Sequence, residues 1–81
     1  MSRRIHVQYF AVLRERAGRS EESLVTDAVT PADLYAELQG VHGFALPRSM
    51  LRVAVNETFS DWSRPLAEGD RVVFIPPVAG G

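Results

Sequence analysis

The residues of this chain best placed to do chemistry are its last ones. Gly80 and Gly81 follow a stiff apolar run, Phe74-Ile75-Pro76-Pro77-Val78-Ala79. With glycine at about 7% of residues, a closing pair arises by chance in roughly 0.5% of chains. A carboxylate on Gly81 has no side chain beside it, and Gly80 adds none. Such a group passes through an opening too narrow for a Cβ, because glycine permits close backbone approach and unusual φ/ψ. The chemistry that suits it is reaction of the carboxylate inside another protein's active site. The same residues also fit a frayed terminus without a role, so the rest of the chain has to decide.

Other candidates are few. There is no Cys, so neither disulfides nor thiol chemistry can be intrinsic. Two His without Cys make a poor zinc set. His6 and His42 are far apart, and neither has an evident carboxylate or Ser partner, which argues against a catalytic His. Glu15, Glu21, Glu22 and Glu68 read as solvated surface. Tyr9 and Tyr35 read as half-buried packing residues. Trp62, within Ser60-Asp61-Trp62-Ser63-Arg64-Pro65, reads as the packing anchor of an irregular segment. All nine basic residues are Arg. A bland reading is a genomic base composition that favours Arg codons, but the consequence is physical. The chain offers no ε-amine, so it could be joined to others through its own C-terminus yet could not carry Lys-linked chains.

The elements that must position the tail come from a chain of 81 residues, enough for one small domain. A core of that size is marginal unless it is well packed or completed by a partner. A net charge of −1 with interspersed signs lacks the basic face that nucleic acid would require. No run of 18 apolar residues predicts a membrane span. Met1-Ser2-Arg3-Arg4 is not followed by a signal-peptide core. The expected compartment is the cytoplasm.

Period-two alternation predicts a first strand from Ile5 to Phe10. Ala11 to Ala17 reads as a short helix closed by Gly18, and Glu22 to Thr26 as a second strand pairing with the first. Thr30-Pro31 starts the principal helix, with Thr30 as N-cap and Pro31 at the first helical position. Leu34, Leu38 and Val41 recur on one face, and Gly40 and Gly43 are stop signals. Leu51 to Val55 is a third strand and Asn56-Glu57 a turn, with an irregular segment after it. Gly69-Asp70 turns into a last strand, Arg71 to Ile75, which Pro76-Pro77 ends. The order β-β-α-β-β predicts an α+β domain with its sheet on one helix. It points to a β-grasp over residues 1–75 with an extended tail over 76–81. Physical chemistry alone leaves a ferredoxin-like arrangement open.

The ending Asp70-Arg71-Val72-Val73-Phe74-Ile75-Pro76-Pro77-Val78-Ala79-Gly80-Gly81 resembles the small subunit of molybdopterin synthase, a ubiquitin-like sulfur carrier family. Val7-Gln8-Tyr9-Phe10-Ala11-Val12-Leu13-Arg14-Glu15, Ala17-Gly18, Val55-Asn56 and Gly69-Asp70 also fall where that family's pattern places them. Where family members often carry Asn-Gly after the third strand, this chain has Asn56-Glu57. The resemblance implies a mixed β-grasp sheet and a chemical cycle. A ubiquitin-activating-like enzyme adenylates Gly81 with ATP, and a sulfur donor protein converts it to a thiocarboxylate. The large synthase subunit then receives the tail, whose sulfur attacks the pterin precursor. Catalytic groups are expected on the large subunit, in an assembly of two large and two small subunits. No cofactor is expected to be bound, and no nucleic acid or membrane partner. In this reading Gly81 carries the acyl carbon and Gly80 gives clearance. Ala79, Val78, Pro77 and Pro76 form the inserted tail, with the prolines holding it away from the domain. A carrier for thiamine or cysteine synthesis, or a ubiquitin-like modifier of protein amines, would use the same activation with another acceptor.

With Ile5, Val7, Tyr9, Leu51, Val53, Val55, Val72 and Phe74 against the helix, the opposite parity presents His6, Gln8, Phe10, Arg52, Ala54, Arg71, Val73 and Ile75. Phe10, Ala54, Val73 and Ile75 make part of that face apolar, and Phe59 extends it. Contiguous apolar surface of this kind marks a protein interface, so Phe10, Phe59, Val73 and Ile75 are the expected contacts with the large subunit. A covering loop, or a parity slip of one residue, would remove the patch.

Overall fold

The computed structural model describes residues 2–77. Strands β1 (Arg3–Tyr9), β2 (Glu21–Thr26), β3 (Arg52–Val55), β4 (Thr58–Ser60) and β5 (Arg71–Ile75) form one sheet in the order β2-β1-β5-β3-β4. β1 and β5 run parallel, and the remaining neighbours are antiparallel. Helix α1 (Ala11–Ala17) joins β1 to β2, and α2 (Pro31–His42) crosses between β2 and a 3₁₀ turn at Arg48–Met50. This mixed sheet on one main helix is a β-grasp.

The inner face carries the predicted parity. Ile5, Val7, Tyr9, Val53, Val55, Val72 and Phe74 are buried, and Leu51 joins them just ahead of β3. From α2 come Leu34, Tyr35 and Leu38. Each such side chain removed from water contributes about 1.5–3 kcal/mol, and these contacts seat the sheet on the helix.

Local chemistry sets the element ends. Thr30 Oγ1 accepts the Asp33 N–H at 3.2 Å, and Asp33 Oδ2 accepts the Val29 N–H at 3.3 Å. Two donors at the start of α2 are thereby satisfied. At its other end Gly43, at φ +70°, donates its N–H to Gln39 O at 2.8 Å. The helix runs through Gly40, which does not stop it, because an isolated helical glycine costs only about 1 kcal/mol.

Four further expectations are corrected. Val41 is 68% exposed. The inward-facing stripe includes Pro31 and Tyr35 as well as Leu34 and Leu38, and at about 100° per residue its centre lies nearer the half-buried His42 than Val41. Residues 58–60, expected to be irregular, form β4. Asn56 (φ +52°) and Glu57 (φ +71°) make a two-residue hairpin loop that returns the chain beside β3. Phe10 lies beyond β1 as the extended residue before α1. Tyr9 and Tyr35 are almost fully buried, with only their hydroxyls finding polar partners.

Candidate functional site

The outer face of the sheet is built by strand register. Gln8, Val73, Ala54 and Phe59 lie side by side in one row across β1, β5, β3 and β4. One step toward the end of β5, Ile75 pairs with Arg52. The Arg52 guanidinium lies 5.4 Å from the centroid of the Phe59 ring, which steadies an aromatic side chain that is 64% exposed. Val73 and Ile75 are half-buried. The result is an apolar strip with arginine at its margin.

Where β5 ends, this strip opens into a cleft of about 560 Å³. Ile75, Pro76 and Pro77 form one wall, and Phe10, Val12 and Leu46 line the rest. Pro76 is buried against the domain and Pro77 is exposed. Pro76, expected in the tail, thus packs on the domain as part of the cleft wall. Val78, Ala79, Gly80 and Gly81 lie outside the described residues. The backbone of Ala11 stands at φ +51°, a left-handed conformation that L-residues pay about 1–2 kcal/mol to adopt. It falls at the corner where β1 gives way to α1, directly after Phe10.

The structure thus brings Phe10, Ile75, Pro76 and Pro77 together in one cleft and sets Val73 and Phe59 in the adjoining row. Val12, half exposed, and Leu46 belong to the same surface and were not singled out from sequence. For Val12 the available signal was an apolar residue two positions after Phe10 in the short Ala11–Ala17 helix. Leu46 had none, since only folding brings residue 46 beside residue 75. Among the described residues Glu15 is the one acidic side chain on the cleft. Among the described residues no group of three or more His, Cys, Asp or Glu could hold a metal ion. The strip and the cleft together form one partly exposed apolar surface at the end of β5.

The titratable residues depart from their sequence reading. His42 Nε2 lies 2.8 Å from Glu22 Oε2, and the Tyr9 hydroxyl donates to the same oxygen. His6 Nδ1 lies 2.9 Å from Ser23 Oγ, and its Nε2 is 3.3 Å from Glu21 Oε1. His42 thus has a carboxylate partner and His6 a serine partner that the sequence did not reveal, while among the described residues no hydrogen bond reaches His6 Nε2; Glu22 is not a solvated surface carboxylate. Burial alone would raise the Glu22 carboxyl. Hydrogen bonds from Tyr9 and His42, with the charges of His42 and Arg19, outweigh it and hold the group below the usual carboxylate range. Burial, then the Glu22 carboxylate, push the Tyr9 phenol well above its ordinary value. This cluster binds β1, β2 and the end of α2 together. It sits on the helix side, so it is not part of the outer face. Trp62 is a packing anchor as expected, stacking on Phe74 with ring centroids 5.9 Å apart.

A mixed five-stranded sheet closed over one helix, with an apolar outer strip leading to the last strand's exit, defines a ubiquitin-like β-grasp protein. Its fold superposes on SAMP1 from Haloferax volcanii with a TM-score of 0.80 at 26% identity, over 96% of this chain and 99% of that one. The chain belongs to the ThiS family, which matches residues 7–81. It is 35% identical over 80 residues to the molybdopterin synthase sulfur carrier subunit of Escherichia coli K12, covering 95% of this chain and 99% of that protein. It is also similar to a chain in the complex of subunits 1 and 2 of the molybdopterin-converting factor from Helicobacter pylori. There the TM-score is 0.65 at 28% identity, over 96% of this chain and 99% of that one.

Proposed function

We propose that this chain is the sulfur carrier subunit of molybdopterin synthase. The observation that carries the reading is the near full-length similarity to such subunits in a chain ending Pro76-Pro77-Val78-Ala79-Gly80-Gly81. The Gly81 carboxylate is a poor electrophile. Adenylation by ATP on a ubiquitin-activating-like enzyme gives its carbonyl carbon a good leaving group, and sulfide-level sulfur delivered by a donor protein then displaces AMP to leave a thiocarboxylate. Inside the large subunit that sulfur attacks the pterin precursor, and hydrolysis returns Gly81 as a carboxylate. Two such cycles supply two sulfurs.

Each part of the chain has a share in this. Gly80 and Gly81 lack the Cβ that would obstruct a narrow channel. Pro76 anchors the tail's root in the cleft and Pro77 restricts its exit, which lowers the entropy lost on insertion. The apolar strip of Phe10, Val73, Ile75 and Phe59 docks on the large subunit. A partner of that kind is supported by the two-subunit complex of the Helicobacter pylori relative. The protein works in the cytoplasm in this reading, and the catalytic groups sit on the large subunit.

Chemically prepared thiocarboxylate protein, mixed with a cognate large subunit and the pterin precursor, is expected to form the dithiolene product. Removal of Gly81 is expected to abolish transfer while the melting temperature stays unchanged. No product from intact thiocarboxylate protein would refute the assignment. An amide-linked protein adduct in cells, instead of a sulfur-for-oxygen mass change, would favour a modifier.

A further inference from the structure

The helix side of the molecule carries an open groove of about 540 Å³ that shares no lining residue with the cleft at the end of β5. Ala32 and Ala36, one turn apart on α2, form a floor of methyl groups, and the ring of Trp62 adds an apolar wall. The walls are held by hydrogen bonds. Trp62 O accepts the Ala32 N–H at 3.2 Å. Leu46 O accepts both the Tyr35 hydroxyl at 2.6 Å and Gln39 Nε2 at 3.2 Å. These bonds fix the loop before the 3₁₀ turn against α2.

One full charge faces this groove. The Arg48 guanidinium lies 5.7 Å from the Trp62 ring centroid, and Trp62 is itself stacked on the buried Phe74. Among the described residues no carboxylate lies within ion-pair distance of Arg48. A guanidinium resting on an aromatic plane loses less freedom on binding, and its edge presents a fork of donors matched to a carboxylate. Ser49 contributes a hydroxyl to the same rim. A single cation suits a monoanion. A phosphate group, at roughly −1.5 to −2, would remain undercompensated. The apolar floor requires the anion to sit on a hydrocarbon or aromatic stem.

We propose that this groove binds an organic monocarboxylate, its oxygens on Arg48 and its apolar stem against Ala32, Ala36 and Trp62. Trp62 is the sole tryptophan, so its fluorescence reports the site directly. The probes are phenylacetate, its uncharged counterpart phenylacetamide, and a short capped Glu-Phe peptide that offers the same chemistry from a protein source. The Trp62 indole and Gln39 side-chain amide signals in NMR provide a second readout. Saturable responses to phenylacetate or the peptide are expected, and the tighter of the two names the source. Loss of a charge-assisted pair predicts at least about tenfold weaker binding of phenylacetamide, and a similar loss in Arg48→Met. Because Arg48 is exposed, that variant is expected to keep the native NMR spectrum elsewhere. No saturable response to either carboxylate, an equal response to phenylacetamide, or undiminished binding by Arg48→Met would overturn the proposal.

Discussion

Replacing Glu57 by glycine is expected to stabilise the domain. Glu57 occupies the second position of the two-residue loop between β3 and β4, at φ +71°. Asn56, before it, is tied down. Its Nδ2 donates to Asp70 Oδ1 at 2.9 Å and its Oδ1 accepts the Arg71 N–H at 3.0 Å. Glu57 is exposed and, among the described residues, has neither a side-chain hydrogen bond nor an ion pair to lose. Holding an L-residue in the left-handed region costs about 1–2 kcal/mol. Glycine relieves that strain but gives up about 0.5–1 kcal/mol of backbone entropy on folding. The net gain is about 0.5–1 kcal/mol. With an unfolding entropy of about 2.1 cal/mol/K per residue, that raises the melting temperature of an 81-residue domain by about 3–6 °C. Thermal unfolding by circular dichroism of the parent, Glu57→Gly and Glu57→Ala checks it. Alanine removes the charge and keeps the Cβ, so it should match the parent. A glycine variant no more stable than the alanine variant would refute the strain argument.

Charge placed on the outer strip, as Ile75→Asp or Phe59→Asp, should leave the melting profile close to native and weaken docking to the large subunit by about tenfold or more; calorimetric titration measures it, and unchanged affinity in a folded variant would remove these residues from the interface. Glu22 has a lowered folded pKa, so its stabilisation is present above the unfolded value of 4.5 and is lost as pH falls through the folded value below it. Urea midpoints measured between neutral and acid pH should decline over that window, and Glu22→Gln should flatten the decline. Tyr9 has a raised pKa, so its contribution is complete below its unfolded value of 10.0 and is lost in alkali above it. Phe74→Ala should remove about 3–5 kcal/mol by opening a cavity beneath Trp62 and Tyr35, a large share of the stability of so small a domain, and denaturant titration should find a much lower midpoint.

Much of the fold was legible because its signals are local. Strand β5 appears in the sequence with the bounds it has in the structure, since Gly69-Asp70 and Pro76-Pro77 bracket it. The inner-face parity followed from alternation alone. The start of α2 was readable from Thr30-Pro31 and its end from Gly43, while Gly40 was a false stop. Strand β4 escaped because three residues are too few to display a period. The Asn56-Glu57 turn was nonetheless a signal for it, as a two-residue hairpin requires a returning strand. The partners of Glu22 were invisible for another reason. Tyr9 and His42 lie 13 and 20 residues away in the chain, and no local pattern encodes such a meeting.

The candidate site divides along the same line. Slender glycines, stiff prolines and the lack of a thiol are properties of residue types, and the sequence by itself determined them. The sequence also determined which strand residues share a face, because side-chain direction alternates along a strand. Only the tertiary structure decided which strands are neighbours. Parallel pairing of β1 with β5, and antiparallel pairing of β5 with β3, places Val73 beside Ala54 and Phe59 and brings Phe10, Val12 and Leu46 around Ile75 and Pro76. That strand order turns separate apolar residues into one surface beside Pro76 and Pro77.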